Sequence, residues 1–118
     1  MDELVGRIVA NVGVTRPVAE AAVGIILDFL SREVPSETIE PLLARLPGAD
    51  AAIARAHEKG GLPVGGIMGV GTRLMGAGLG MDQIQGVVRE IIAFARENVG
   101  QETVDGFATA IPGLRQYL

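Results

Sequence analysis

The sequence predicts an all-α domain, a bundle of six or seven helices made of two pseudo-equivalent three-helix units. Apolar residues recur at helical spacing along most of the chain, and Phe29, Phe94, Phe107 and Tyr117 are its only aromatic side chains. The second half also repeats the pattern of the first, 65 residues on, so that Gly13 falls on Gly78 and Gly48 on Gly113. A core of aliphatic side chains and alanine suits packed helices better than a sheet, where β-branched and aromatic residues dominate. At 118 residues the chain is the size of one domain, able to bury roughly two thirds of its unfolded surface. Leu, Ile, Val and Phe account for 37 residues, far too many for a disordered chain.

The first helix is expected in "DELVGRIVANV", with Leu4, Val5, Ile8, Val9 and Val12 on one face and Asp2 as its cap. A second, opened by Thr15 or by Arg16-Pro17, carries Ala19, Ala22, Val23, Ile26, Leu27, Phe29 and Leu30 on a broad apolar face. In "ETIEPLLARLPG" the residues Ile39, Leu42, Leu43 and Leu46 make one stripe, with Thr38 as N-cap, Glu40 in the first turn and Pro41 at the third helical position. A short helix, "ADAAIARAHEK", follows from an Asp50 cap to Gly60.

Shifting the first three helices by 65 residues generates the remainder. Residues 13–49 lie on 78–114 without a gap and with nine identities, among them Ile26/Ile91, Phe29/Phe94 and Pro47/Pro112. Roughly three would be expected by chance from such a composition. Ile84, Val87, Val88, Ile91, Ile92, Phe94 and Ala95 repeat the long apolar face behind an Asp82 cap. Val104, Phe107, Ala108 and Ile111 repeat the stripe behind Thr103, with Asp105 in the first turn. The whole, 1–118, reads as one domain with internal copies at about 1–49 and 66–114, joined by the short helix and a glycine-rich linker over 50–66. Neither copy is large enough to bury much surface alone, so the two should share one core.

The first helix should then recur at 66–77, inside "GGLPVGGIMGVGTRLMGAGLGM", which holds nine of the seventeen glycines and a single charge, Arg73. Gly69, Gly71 and Gly76 would together weaken such a helix by about 3 kcal/mol relative to alanine, so packing must offset them. The spacings Gly65 to Gly69 and Gly76 to Gly80 are of the small-xxx-small kind that lets backbones approach closely. Val70, Leu74 and Ala77 point one way, and Met68 and Met75 almost opposite, with Gly71 and Thr72 beside them. A helix apolar on both sides is buried, at the centre of its own fold or beneath a partner. Methionine adapts to irregular surfaces, and Met68, Gly71, Thr72, Met75, Gly76 and Met81 form the candidate interaction surface.

Several chemistries are excluded. "GVGTRL" lacks the last glycine of a dinucleotide loop, and "GTRLMGAG" has alanine where a phosphate loop needs lysine. A membrane span over 62–81 would carry seven glycines, a proline and Arg73 near its middle, at a cost of about 2.5 to 3.5 kcal/mol for the charge alone. His57 is the only histidine, "HEKGG" fails the zinc pattern, and the helix dipole accounts for a histidine near a C-terminus. Ser31 and Ser36 lack a nucleophile setting, and Asp28 with Arg32 reads as a solvated surface pair. There is no cysteine, hence no disulfide or thiolate site. A net charge of −4 without a basic run argues against nucleic acid. No catalytic, cofactor or metal site is expected. The start "MDELVGRIV" has acids where a signal peptide needs basic residues, which points to the cytoplasm.

The combination of "GVTRPVAEAAVGIILDFLSREV", "LPGADAAI", a glycine-rich middle with methionine and leucine, and "GLGMDQIQGVVREIIAFARENVG" closing on "IPGL" resembles small proteobacterial proteins known as domains of unknown function, the families numbered twenty-two sixty-seven and twenty-seven eighty. The resemblance implies a small helical fold and brings no functional residue with it. The function expected is that of a non-catalytic helical interaction or structural module, self-associating through 66–81 as a homodimer or binding another protein. The alternative is a peripheral membrane or apolar-ligand binding protein using the same glycine and methionine face.

Overall fold

The computed structural model describes residues 2–59, 66–111 and 113–117. They form α1 (Asp2–Val12), α2 (Arg16–Glu33), α3 (Ser36–Ala44), α4 (Ala49–Lys59), α5 (Gly66–Gly76), α6 (Met81–Val99) and α7 (Gln101–Ala110), closed by a 3-10 turn over Leu114–Tyr117. Among the described residues there is no strand, so the all-α bundle stands.

The two long helices, about 27 Å each at the usual rise, make the centre. Residues 22–30 of α2 are all buried, because α1, α3, α4, α5 and α6 surround it. The helix that is apolar all round is therefore α2, and its only charge in that run is Asp28. In α6 the buried residues Ile84, Val87, Ile91, Ile92, Phe94 and Ala95 make a single stripe, and Arg89, Arg96 and Glu97 stay exposed. Each short leading helix lies on the long helix of the other half, α1 on α6 and α5 on α2, so one core serves both halves.

Element boundaries recur along the chain: α1, α2 and α3 begin at 2, 16 and 36, and α5, α6 and α7 at 66, 81 and 101. The turns recur too. Gly13 and Gly78 take φ of 82° and 106°, and Gly48 and Gly113 take 91° and 89°, conformations that glycine adopts without the Cβ penalty of other residues. The halves part company after Gly48 and Gly113, where α4 follows the first and only the 3-10 turn the second.

The helix starts differ from expectation by one or two residues. Thr38 and Thr103 are not N-caps, since α3 begins at Ser36 and α7 at Gln101. The Pro35 carbonyl already accepts Thr38 N and Ile39 N, while Gly100, at φ 93°, turns the chain directly from α6 into α7. The Thr103 hydroxyl instead donates back to the Val99 carbonyl at 3.2 Å. Pro41 consequently sits inside α3 and leaves the Glu37 carbonyl without an amide partner; both residues are exposed, so water can take that place. Asp2, Asp50 and Asp82 lie in first turns and cap nothing. At α6 the cap is Gly80, whose N–H donates to Gln83 Oε1 at 2.9 Å. Thr15 does cap α2, its hydroxyl accepting from Val18 N at 3.4 Å, with Pro17 in the first turn.

Candidate functional site

α5 forms at 66–76, where the repeat places it. Val70 and Leu74 are buried on its inner face and Ala77 packs on the core from the following turn. The opposite flank is exposed at Met75. Met75 is 51 % exposed and Met81, the first residue of α6, is 57 % exposed, and they are the exposed large hydrophobics among the described residues. Gly76 and Thr72 are exposed and Gly71 half-buried. The Met68 side chain lies outside the described residues, as do Gly65 and the rest of the linker over 60–65. Central burial of both flanks is thus not what the structure has at Met75.

Gly71 and Gly76 of α5 make no close packing contact among the described residues, whereas Gly69 is buried. A Cβ built on Gly71 or Gly76 would meet nothing within 4 Å, and neither has a positive φ. Close approach occurs elsewhere. A Cβ on Gly24 would stand 2.6 Å from the Ala52 carbonyl oxygen where α4 crosses α2, and one on Gly86 would stand 3.0 Å from Val12 Cγ2 where α1 crosses α6.

Beside Val70 and Leu74, the one charge of α5 anchors it. Arg73 Nη1 donates to Asp28 Oδ2 of α2 at 3.0 Å, and Nη2 to the Ala56 carbonyl of α4 at 2.9 Å. Asp28 is only 4 % exposed, so its expected role as half of a solvated pair with Arg32 does not hold. Arg32 does reach the same Oδ2, at 3.2 Å, but from the rim, and its Nη2 also donates to His57 Nδ1 at 2.6 Å. The buried carboxylate lies between two guanidinium groups, as a charge removed from water requires. His57 lies in the last turn of α4 and is engaged with this arginine, with no second histidine nearby to ligate a metal. The signal for the Asp28–Arg73 pair was present in the sequence: one acid in the apolar run of α2 and one base in the glycine stretch. Forty-five residues separate them, and only the packing of α5 on α2 shows that they meet.

Beside this node opens a cleft of about 910 Å³ between α1, α2, α4 and α5. Its lining is mostly apolar and small, with Val5, Val18, Ala21, Ile25, Ala52 and Ala77 among the residues, and Arg55, Arg73, Glu20 and Asp2 supply the charge. Gly76 faces this cleft, so the expected surface divides: Gly76 lines a hollow, while Met75 and Met81 stand on the outside. The alanines make the hollow, because side chains this short leave the space between these four helices unfilled.

No protein family, curated protein or solved structure matches this chain. Among the described residues no three His, Asp or Glu side chains gather as a metal site would need. None of the described helices is long and apolar enough to cross a membrane. The geometry therefore offers two surfaces to weigh, the exposed methionine corner and the alanine-lined cleft.

Proposed function

We propose that this chain is a non-catalytic helical module that pairs with a second copy of itself through the outer flank of α5 and the start of α6. The supporting observation is the mismatch at that flank. Gly71 weakens the helix, a Cβ on it would meet nothing among the described residues, and it lies one turn from the exposed Met75. Glycines on an open helix face let a second backbone come close, and methionine fills what irregular space remains. A second copy fits best because the outer flank of α5 has no charge, Arg73 being turned inward, and the acid at the start of α6 is Asp82, exposed next to Met81. Two copies crossing on α5 bring no like charges together along that helix, and a two-fold axis would place the same residues on both sides. The same reading takes the two halves as copies of one three-helix unit, supported by the recurring helix starts and glycine turns. The outer flank of α5 then departs from that of α1, which is charged.

Light scattering coupled to size exclusion tests the proposal on the wild type and on Met75→Glu/Met81→Glu. A wild-type dimer and a monomeric, fully helical variant are expected; a monomeric wild type across the accessible concentration range would overturn it. Flotation with vesicles decides the alternative reading, since a lipid-bound monomer that sinks after the same substitution would make the flank a membrane contact.

A further inference from the structure

We infer that the cleft between α1, α2, α4 and α5 is a binding site for a monoanionic amphiphile, a long-chain carboxylate in its chemistry. Its volume of about 910 Å³ falls within the roughly 300–1,000 Å³ of pockets that take small ligands, which are apolar with a few polar groups at one end. The charges are sorted along it. At the α1 end Asp2 and Glu20 both pair with Arg16, at 2.7 and 3.2 Å. At the α4–α5 end stand Arg55 and Arg73. Arg55 is exposed and has no ion-pair partner among the described residues. Arg73 shares its only acid, Asp28, with Arg32, so this end carries an excess of positive charge on a chain that is negative overall.

An arginine has five N–H donors, and the two bonds Arg73 makes to Asp28 and Ala56 leave donors for a ligand oxygen. The apolar tail of the ligand would lie on Val18, Ala21 and Ile25, the α2 wall of the cleft, and displace water from them. One negative charge at one end of an apolar body matches this arrangement. A neutral lipid would leave Arg55 unpaired, and a cationic one would face it. The site is separate from the proposed pairing flank and either can fail without the other.

The test is titration calorimetry of the wild-type chain with dodecanoate, dodecanol and dodecyltrimethylammonium below their aggregation concentrations. Dodecanoate should bind one to one and at least about tenfold more tightly than the alcohol, the usual weight of a charge-assisted hydrogen bond. Arg55→Glu, at an exposed position, should lose about tenfold for the carboxylate and little for the alcohol. Ala51→Leu, also exposed and on the lining, should weaken both by filling the hollow while the helical signal stays unchanged. Equal affinity for carboxylate and alcohol, binding at many sites, or insensitivity to Ala51→Leu would each overturn the assignment. So would amide shifts on titration that cluster at Met75 and Met81 and spare α4.

Discussion

α1 and α5 each precede a long helix and pack on the long helix of the other half of the chain, yet they are held in opposite ways. α1 is dry inside and charged outside. Leu4, Val5 and Ile8 are buried, while Arg7 on its flank reaches Glu97 at 3.0 Å and Glu90 at 3.4 Å, and Asn11 donates to Glu90 at 3.0 Å. In α5 the polarity is inverted. Arg73 occupies the place of Ile8, its acid Asp28 occupies the place that Ala93 has in α6, and the outer flank has methionine and glycine. The polar anchor of α1 lies at the rim, and that of α5 lies in the interior. The outer surface is thereby left free of charge, which is what a contact surface needs.

The largest expected effect comes from breaking that inner anchor. Asp28→Ala leaves Arg73, 17 % exposed, without its acid, and should cost about 3 kcal/mol in urea unfolding. Asp28→Ala/Arg73→Ile writes the α1 seam into the α5 seam and should recover most of the loss, since well-packed apolar residues often replace a buried pair without penalty. A double variant no more stable than the single one would show that the two seams are not interchangeable.

Next in size is Gly24→Ala, because the new Cβ would press on the backbone of Ala52 and α4 must move as a whole. A loss of about 1–3 kcal/mol is expected. Gly86→Ala presses only on the Val12 side chain, which can yield by a few tenths of an ångström, and should cost less. Equal losses at the two sites would mean that α4 is not seated as described.

Arg7→Ala is smaller again, roughly 1 kcal/mol or below, since its partners are partly exposed and water screens them. Hydrogen bonding to Glu97, then attraction to Glu97 and Glu90, holds the Arg7 guanidinium above its ordinary value against some desolvation. A raised basic group contributes stability that is complete below its unfolded value and fades only as pH climbs through the folded one. For arginine that window lies beyond ordinary alkali, so raising pH to 10 should leave this clamp intact and molar salt should weaken it.

The fold was legible where periodicity is strong. The long stripe from Ile84 to Ala95, and the placement of a helix on Val70 and Leu74 by analogy with Val5 and Val9, needed nothing beyond spacing. Helix starts were not, because threonine at 38 and 103 looks like a cap only until the Pro35 carbonyl and the turned Gly100 are seen to begin the helix earlier. Of the candidate surface, Met75 and Met81 proved exposed, but their being left uncovered depends on tertiary packing. The cleft was invisible for the same reason: Ala21, Ala51 and Ala77 look like ordinary helix formers until α1, α2, α4 and α5 fail to fill the space between them.

The smallest change separates fold from function most cleanly. Gly71 has a helical backbone and open space where its Cβ would be, so Gly71→Ala should stabilise the monomer by up to about 1 kcal/mol. If the α5 flank pairs with a second copy through a close backbone crossing, the same methyl group stands between the two helices and dimerisation weakens. Raised unfolding midpoint with weakened association is the pairing that only an external contact produces, since a residue serving the fold would lose stability and a neutral surface residue would leave association alone. A variant that gains stability and still dimerises as the wild type does would move the contact off α5, to Met81 and the start of α6.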